Sequence, residues 1–293
     1  MSSAPASIVS TPTPTSEASQ ARPLFFSIAD RPAYAVYHPP HGGRHRSAVV
    51  VHCHTLGVEQ LTSYRVEVLG ARAAAAAGYP VFRYHARGHG DSAGNLAEVT
   101  FESLVEDARA AAEHAKQLSG ASRVVWLGVR FGALVAAEAA RGSDDVAALA
   151  LWEPVHDPQE YFRGMLRNLL FSFVVKGERP SVSVDDLLHT IDREGLVAVH
   201  GYYLHRALVA SSRALSLERS LAAWAGPTFL AQVQRRGTLA PAHAALGTAL
   251  AKRGATVATV QINDEPGWHF LSNPAWEGAG LVERYAEWID ALA

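Results

Sequence analysis

Near-continuous apolar runs are the feature of this chain that most restricts its fold. One of them, AVVVHC, covers residues 48–53, and three more follow at 81–84, 124–127 and 146–151. Strands of a parallel sheet read as continuous apolar runs because helices cover both of their faces. Alanine-rich segments of helical length separate these runs, which predicts parallel strands joined by helical crossovers.

The same pattern extends toward both ends of the chain. Residues 24–28 and 33–37 predict a hairpin with its turn at Asp30-Arg31-Pro32. The other predicted elements are strands at 228–233 and 256–262 and helices at 62–77, 101–118, 131–140, 242–253 and 278–292. The predicted fold class is therefore α/β, with a mostly parallel, doubly wound sheet.

The alternation of strands and helices lapses between residues 158 and 225. Apolar residues there recur at three- and four-residue spacing, as in YFRGMLRNLLFSFVV, which is typical of helices. The stretch is longer than an ordinary connection, so a helical cap inserted after the sixth strand is favoured over a long crossover. The predicted organisation is a disordered Ser/Thr/Pro-rich tail (1–22), an α/β core (23–157 and 226–293) and the cap (158–225).

Composition excludes several classes of function. The formal net charge is -2 and no basic run is present, so a nucleic-acid partner is not expected. The single cysteine, Cys53, cannot form an internal disulfide. No apolar run is long enough to span a bilayer, and the first twenty residues lack the features of a signal peptide. A cytoplasmic protein without a membrane span is expected.

The segment RVVWLGVRFGALVAAEAA (123–140) reads as a buried strand, a tight G-x-x-x-G turn and a helix. This is the context of a nucleophile elbow, whose central side chain projects from the top of the sheet. The central residue here is Arg130. An arginine does not lose its proton and forms no acyl intermediate, so serine-type covalent catalysis from this position is not expected.

Other landmarks follow in a fixed order: VHCHTLG after one strand, VFRYHARGHGDS after the next, and NDEPGWHF, with His269, before the last helix. With HTLGVEQLTSYR and LWEP, these motifs resemble the α/β-hydrolase superfamily, and more closely its serine aminopeptidase-like hydrolases, which include exosortase-associated members. The resemblance implies an oxyanion loop after the third strand and a catalytic histidine at His269. Members of this subgroup often carry G-L-R-L-G-A at the elbow, so Arg130 resembles a subgroup trait.

The usual triad acid of such hydrolases follows the seventh strand, where FLAQVQRRGTLAP contains no carboxylate. Glu153 and Asp157, after the sixth strand, are the replacement candidates for orienting His269, because the carboxyl ends of parallel strands converge on one crevice. The alternative is that Glu153 simply pairs with Arg130. Both interpretations stay open at this point.

A guanidinium at the mouth of a pocket is costly unless it is paired or binds an anion. Glu59 and Glu153 are the candidate partners for a structural pairing. A partly free guanidinium would instead attract a substrate carboxylate, phosphate or polarised carbonyl. The predicted substrate- or anion-binding residues are Arg130, Glu59, His54, Leu56 and Phe131.

Four histidines, His52, His54, His85 and His89, follow two strands that are neighbours in this fold. Zinc favours such nitrogen ligands. Hydrogen-bonded histidines in a loop are the preferred interpretation, so neither a metal site nor a cofactor is predicted. Cys53 ends a buried strand, and there a lone cysteine is more often a small apolar residue than a nucleophile.

These observations leave three functions open. One is a capped pocket that binds a small acyl, ester, thioester or carboxylate ligand without serine-type turnover. Another is a hydrolase in which His269 acts as a general base, backed by Glu153 or Asp157. The last is an interaction or scaffold protein of a biosynthetic or exopolysaccharide system, with the apolar stretch 168–175 as a docking face.

Overall fold

The computed structural model describes residues 20–41, 43–235, 237–268 and 276–292. Its strands are β1 (Arg22–Ile28), β2 (Arg31–His38), β3 (Ala48–Cys53), β4 (Val81–Tyr84), β5 (Arg123–Val129), β6 (Val146–Trp152), β7 (Leu196–Val199), β8 (Tyr202–His205), β9 (Thr228–Val233) and β10 (Val257–Ile262). Its α-helices are α1 (Val58–Ala76), α2 (Phe101–Ser119), α3 (Phe131–Ala140), α4 (Pro158–Val175), α5 (Val184–Glu194), α6 (Arg206–Ser212), α7 (Leu217–Ser220), α8 (Pro241–Lys252) and α9 (Ala279–Ala291).

The main sheet has the strand order β1-β2-β4-β3-β5-β6-β9-β10. β1 and β2 form an antiparallel hairpin, and β2 pairs antiparallel with β4. The strands from β4 across to β10 are parallel. Chain order reverses between β3 and β5, and a crevice opens beyond the carboxyl ends of strands at such a switch point.

Helices cover both faces of the sheet. Leu149 and Leu151 of β6 pack into the core layer that includes α2 and α3. Ala150 and Trp152 of the same strand pack into the opposite layer, against α1 and α9. Because both faces are buried, successive residues of one strand are all apolar, which is the pattern seen in the sequence.

The doubly wound sheet predicted from the sequence is confirmed, with element ends shifted by a few residues. β1 begins at Arg22, a residue that the sequence assigned to the tail, and residues 1–19 of that tail lie outside the described residues. α1 begins four residues before the predicted Thr62. The cause is Gly57, whose φ of 56° turns the chain directly into the helix.

The insertion, defined as residues 158–225, contains four helices and a β-hairpin. The hairpin departs from the all-helical prediction. Val199 pairs with Tyr202, and the two loop residues between them, His200 and Gly201, both have positive φ. This is the backbone of a type I′ turn, which matches the twist of the two short strands.

The C-terminal half of α4 leaves apolar side chains in solvent. Phe171, Val174 and Val175 are all more than half exposed. Among the described residues, no helix combines the length and the apolar character that crossing a bilayer requires.

Candidate active site at the elbow

The elbow, residues 128–132 (GVRFG), joins β5 to α3 and packs against the end of β3. Arg130 has φ 53° and ψ -117°, a conformation that costs a non-glycine residue about 1–3 kcal/mol. A Cβ at Gly132 would overlap the carbonyl oxygen of Cys53, and a Cβ at Gly128 would overlap Ala133. Both glycines are therefore required by close packing, as the sequence motif predicts.

The Arg130 side chain turns toward the start of α1. Its Nη2 donates to Glu59 Oε1 at 3.2 Å and its Nε to Glu59 Oε2 at 3.4 Å, while Nη1 donates to the main-chain oxygen of Glu153 at 3.4 Å. The side chain of Arg130 is 16% exposed and that of Glu59 is 9% exposed. Burial alone would lower the pKa of Arg130, but Glu59 raises it above its ordinary value. The elbow thus carries a permanent, paired positive charge.

Two hydroxyl groups complete the surroundings of Glu59. Thr55 Oγ1 donates to Glu59 Oε2 at 2.8 Å, and Tyr161 Oη donates to the same oxygen at 2.9 Å. The Tyr161 ring lies 5.7 Å from the Arg130 guanidinium carbon, and burial raises the pKa of Tyr161 well above its ordinary value. Tyr161 belongs to α4 of the insertion. Its contacts with Glu59 and Arg130 therefore join the insertion to the elbow and to the third-strand loop, residues 54–57 between β3 and α1.

Glu153 lies next to the elbow but does not pair with Arg130 through its carboxylate. Its Oε2 accepts the Val233 N–H at 2.6 Å, and its own N–H donates to Ala231 at 2.7 Å. Burial raises the pKa of Glu153, against the opposing effects of Arg130 and the Val233 N–H. Its φ of 45° is a second strained backbone position in this crevice. His269, which Glu153 was predicted to approach, lies outside the described residues.

The other predicted site residues have separate positions. Asp157 is exposed and is the N-cap residue of α4. Its carboxylate accepts the Gln159 N–H at 2.7 Å, as N-cap aspartates commonly do. Phe131 is fully buried in the core, with its ring 5.5 Å from that of Tyr161. Leu56 lines a cavity, described next.

A cavity of about 120 Å³ lies between the third-strand loop, the R-G-H-G loop (residues 87–90) and the insertion. Its apolar lining side chains include Leu56, Leu96, Met165, Val199, Leu204 and Leu208. A smaller space of about 20 Å³ shares Met165 and Val199 with it and reaches Glu59 and Trp268.

The sequence profile of the family described as serine aminopeptidase, S33, matches residues 44–194, just over half of the chain. The protein belongs to the S33 serine aminopeptidase family. The match covers the third-strand loop, the elbow and the first half of the insertion.

Solved structures of similar fold show that this S33 family member has an α/β-hydrolase fold. Est1E from Butyrivibrio proteoclasticus with bound ferulic acid has a TM-score of 0.67 at 16% identity, covering 92% of this chain and 98% of that one. The Pyrococcus furiosus esterase PF2001 has a TM-score of 0.60 at 15% identity, covering 92% of each chain. A putative hydrolase from Agrobacterium vitis S4 has a TM-score of 0.56 at 17% identity, covering 93% and 98%. No curated protein matches the chain significantly by sequence.

Cys53 is an unsuitable nucleophile for this S33 protein. It is 2% exposed, and its sulfur lies 3.9 Å from the Tyr84 hydroxyl. Burial raises the pKa of the thiol to about 12. The interpretation of Cys53 as a small apolar residue agrees with this environment.

The histidines do not act as one group of four. His54 donates from Nδ1 to Glu67 Oε2 at 2.6 Å, and the His52 ring lies 4.6 Å from the His54 ring. The His85 ring is farther away, at 5.8 Å from that of His54. His89 is held separately, with Nδ1 at 3.0 Å from the Arg87 carbonyl oxygen. Glu67 was missed in the sequence, although it faces β3 on α1 and accepts from Ser63 one turn earlier at 2.9 Å.

A second imidazole chain was also missed. His156 donates from Nδ1 to Glu218 at 2.6 Å, and its Nε2 lies 3.3 Å from His243 Nδ1. Burial lowers the pKa of His243 to about 4, so this ring is neutral. His156 lies in the β6–α4 connection, Glu218 in α7 and His243 in α8. Because these residues are far apart in the sequence, no local spacing predicts their contact.

Proposed function

We propose that this S33 family member binds a small acyl or aryl ligand in its apolar cavity and does not use a serine nucleophile. The observation that carries the proposal is the Arg130–Glu59 pair. A guanidinium occupies the elbow position and is held by three hydrogen bonds. Such a side chain neither attacks a carbonyl nor leaves room for an acyl–enzyme intermediate at that point.

The buried Arg130–Glu59 pair also limits which part of a ligand can bind to this site. Glu59 already neutralises Arg130, so a ligand carboxylate gains little by approaching the guanidinium. Neither Arg130 nor Glu59 lines the 120 Å³ cavity, whose walls are mostly leucine, valine, methionine and tyrosine side chains, with Gln60 and His89 as further polar members. The apolar part of a ligand is therefore the part that this site recognises.

The cavity volume limits the size of that group. An apolar cavity of about 150 Å³ accommodates benzene, so a space of about 120 Å³ suits a short acyl chain or a single ring. Est1E, the similar structure named above, is recorded with ferulic acid bound. In this proposal the insertion serves as the cap over the cavity, through Met165 of α4 and the β7–β8 hairpin.

Ligand-detected NMR tests the proposal with methyl butyrate, butyrate and phenylpropanoate as probes. Met165→Trp fills the cavity and is expected to abolish the signals. Leu118→Trp, at a residue of α2 that is 46% exposed, introduces the same side chain far from the cavity and is expected to leave them unchanged. Failure of all three probes to bind the wild-type protein, or equal binding by both variants, would contradict the proposal.

A second function is favoured by Glu153. A strained, largely buried carboxyl with a raised pKa beside a crevice is a common property of catalytic acids and bases. In this alternative, His269 acts on water as a general base and Glu153 orients it. Turnover of a short-chain thioester that is lost in both His269→Ala and Glu153→Gln, but retained in Asp157→Ser, would establish this alternative over simple binding.

A further inference from the structure

We propose that the protein binds a divalent transition-metal ion of the zinc class between β3 and α1, with His52, His54 and Glu67 as its ligands. This site is separate from the Arg130–Glu59 pair and does not depend on the proposed acyl-binding function. The sequence grouped His52 and His54 with two other histidines and predicted no metal site, because the third member of the group is a glutamate of α1 rather than a further histidine.

The three side chains converge from two elements. His52 and His54 flank Cys53 at the carboxyl end of β3, and Glu67 lies on the face of α1 that covers this end of the strand. One ligand atom from each of the three lies within 4.8 Å of the other two. Ligand atoms 2.0–2.2 Å from a tetrahedral zinc lie about 3.4 Å from one another, so a pair as much as 4.8 Å apart would close by up to about 1.4 Å on binding.

Unpaired nitrogen atoms mark the position of the ion. The His52 side chain is fully buried, and neither of its ring nitrogens has a hydrogen-bond partner. A neutral imidazole carries one lone pair, and burying that lone pair without a partner is unfavourable. Coordination of an ion would satisfy the lone pair of His52.

Glu67 and His54 already hold two ligand atoms side by side. The Glu67 carboxylate is completely buried, and its Oε2 lies 2.6 Å from His54 Nδ1. An ion bound to both atoms would take the place of the proton that they share. Glu67 Oε1 would keep the hydrogen bond that it accepts from Ser63.

The donor set selects the kind of ion. Two imidazoles and a carboxylate suit zinc, whereas magnesium and calcium prefer oxygen ligands. Arg83 is 4% exposed and lies beside this group, in register with His52 and 4.7 Å from the Tyr64 ring. Its positive charge opposes any bound cation, so only an ion that imidazole binds strongly is expected to be retained. Closure from solvent gives the ion a structural role, holding the third-strand loop to α1.

The test uses the full chain, purified without a polyhistidine tag and dialysed against metal-free buffer with added zinc. Elemental analysis is expected to find about one zinc per chain, and the cobalt-exchanged protein is expected to show visible absorption bands of a low-coordinate site. Chelation is expected to lower the melting temperature of the wild-type protein, because the ion binds the folded chain.

Variants locate the ion. His54→Gln and Glu67→Gln remove proposed ligands and are expected to weaken zinc binding by about a hundredfold or more in a chelator competition, which exceeds the usual effect of losing an outer-shell partner. His114→Ala, a histidine of α2 that packs on Phe26, is the matched control and should bind zinc as the wild type does. The proposal is overturned by zinc far below one equivalent with no cobalt spectrum in the wild-type protein. It is equally overturned by binding that His54→Gln and Glu67→Gln leave unchanged.

Discussion

Replacing Glu59 with Gln removes the charge that faces Arg130 and keeps the size of the side chain. The guanidinium then remains 16% exposed, with the Glu153 carbonyl oxygen and one amide oxygen as acceptors. Removing one partner of a buried ion pair destabilises a protein by about 3–5 kcal/mol, and the remaining acceptors place this case at the lower end, about 3 kcal/mol. The unfolding entropy of about 2.1 cal/mol/K per residue, over 293 residues, is roughly 0.6 kcal/mol/K. The expected loss is therefore about 5 °C in melting temperature.

Thermal and urea unfolding, followed by circular dichroism, measure this loss. Glu160→Gln is the matched control, since that exposed glutamate lies 3.7 Å from Arg167 and is expected to change stability by less than about 1 kcal/mol. The double variant Glu59→Gln/Arg130→Met is expected to be more stable than the sum of the single changes by about 1–3 kcal/mol. A loss below about 1 kcal/mol in Glu59→Gln, or additive single and double changes, would refute the coupling of these two side chains.

Three further predictions concern Glu153, Asp157 and Gly132. Burial raises the pKa of Glu153, so its contribution to stability is complete below the ordinary value of 4.5 and is lost as the pH rises through the folded-state pKa. Glu153→Gln should therefore gain stability relative to the wild type as the pH rises above about 4.5 in urea titrations, and a gain confined to acid would be the wrong sign. Asp157→Ala should cost about 1 kcal/mol through loss of the α4 cap, whereas Asp157→Ser should cost much less, with cavity binding unchanged in both. Gly132→Ala should destabilise the fold by about 1–3 kcal/mol or more because its Cβ meets the Cys53 carbonyl; wild-type stability in thermal unfolding would contradict this packing.

The sheet was predictable because its strands are buried on both faces. Successive residues of β6, from Leu149 to Trp152, alternate between two core layers, so the run is apolar throughout. Such a run predicts a buried strand from neighbouring residues alone. The elbow was predictable for a similar reason, since two glycines at fixed spacing are required wherever a helix packs this closely on a strand. The expected position of Glu59 after the third strand, close to the elbow in this topology, also identified it as a candidate partner of Arg130.

The remaining contacts depend on the path of the chain through space. Tyr161 reaches Glu59 across 102 residues, and His156 reaches His243 across 87. No periodicity encodes such pairs. The Glu153 carboxylate was expected to contact Arg130 or His269. It accepts a main-chain N–H of the neighbouring strand rather than a bond from Arg130, and its relation to His269 stays a prediction because His269 lies outside the described residues. Only the His200-Gly201 turn offered a local signal, of the kind that type I′ hairpins use, for the strands missed in the insertion.

Labelling with a fluorophosphonate probe tests most directly the claim that Arg130 replaces a serine nucleophile. Intact-mass spectrometry of the wild-type protein is the readout, with an active serine esterase treated in parallel to confirm that the probe reacts. The account predicts that the mass of this protein does not change. A stoichiometric adduct on a serine, accompanied by loss of ester turnover, would contradict it.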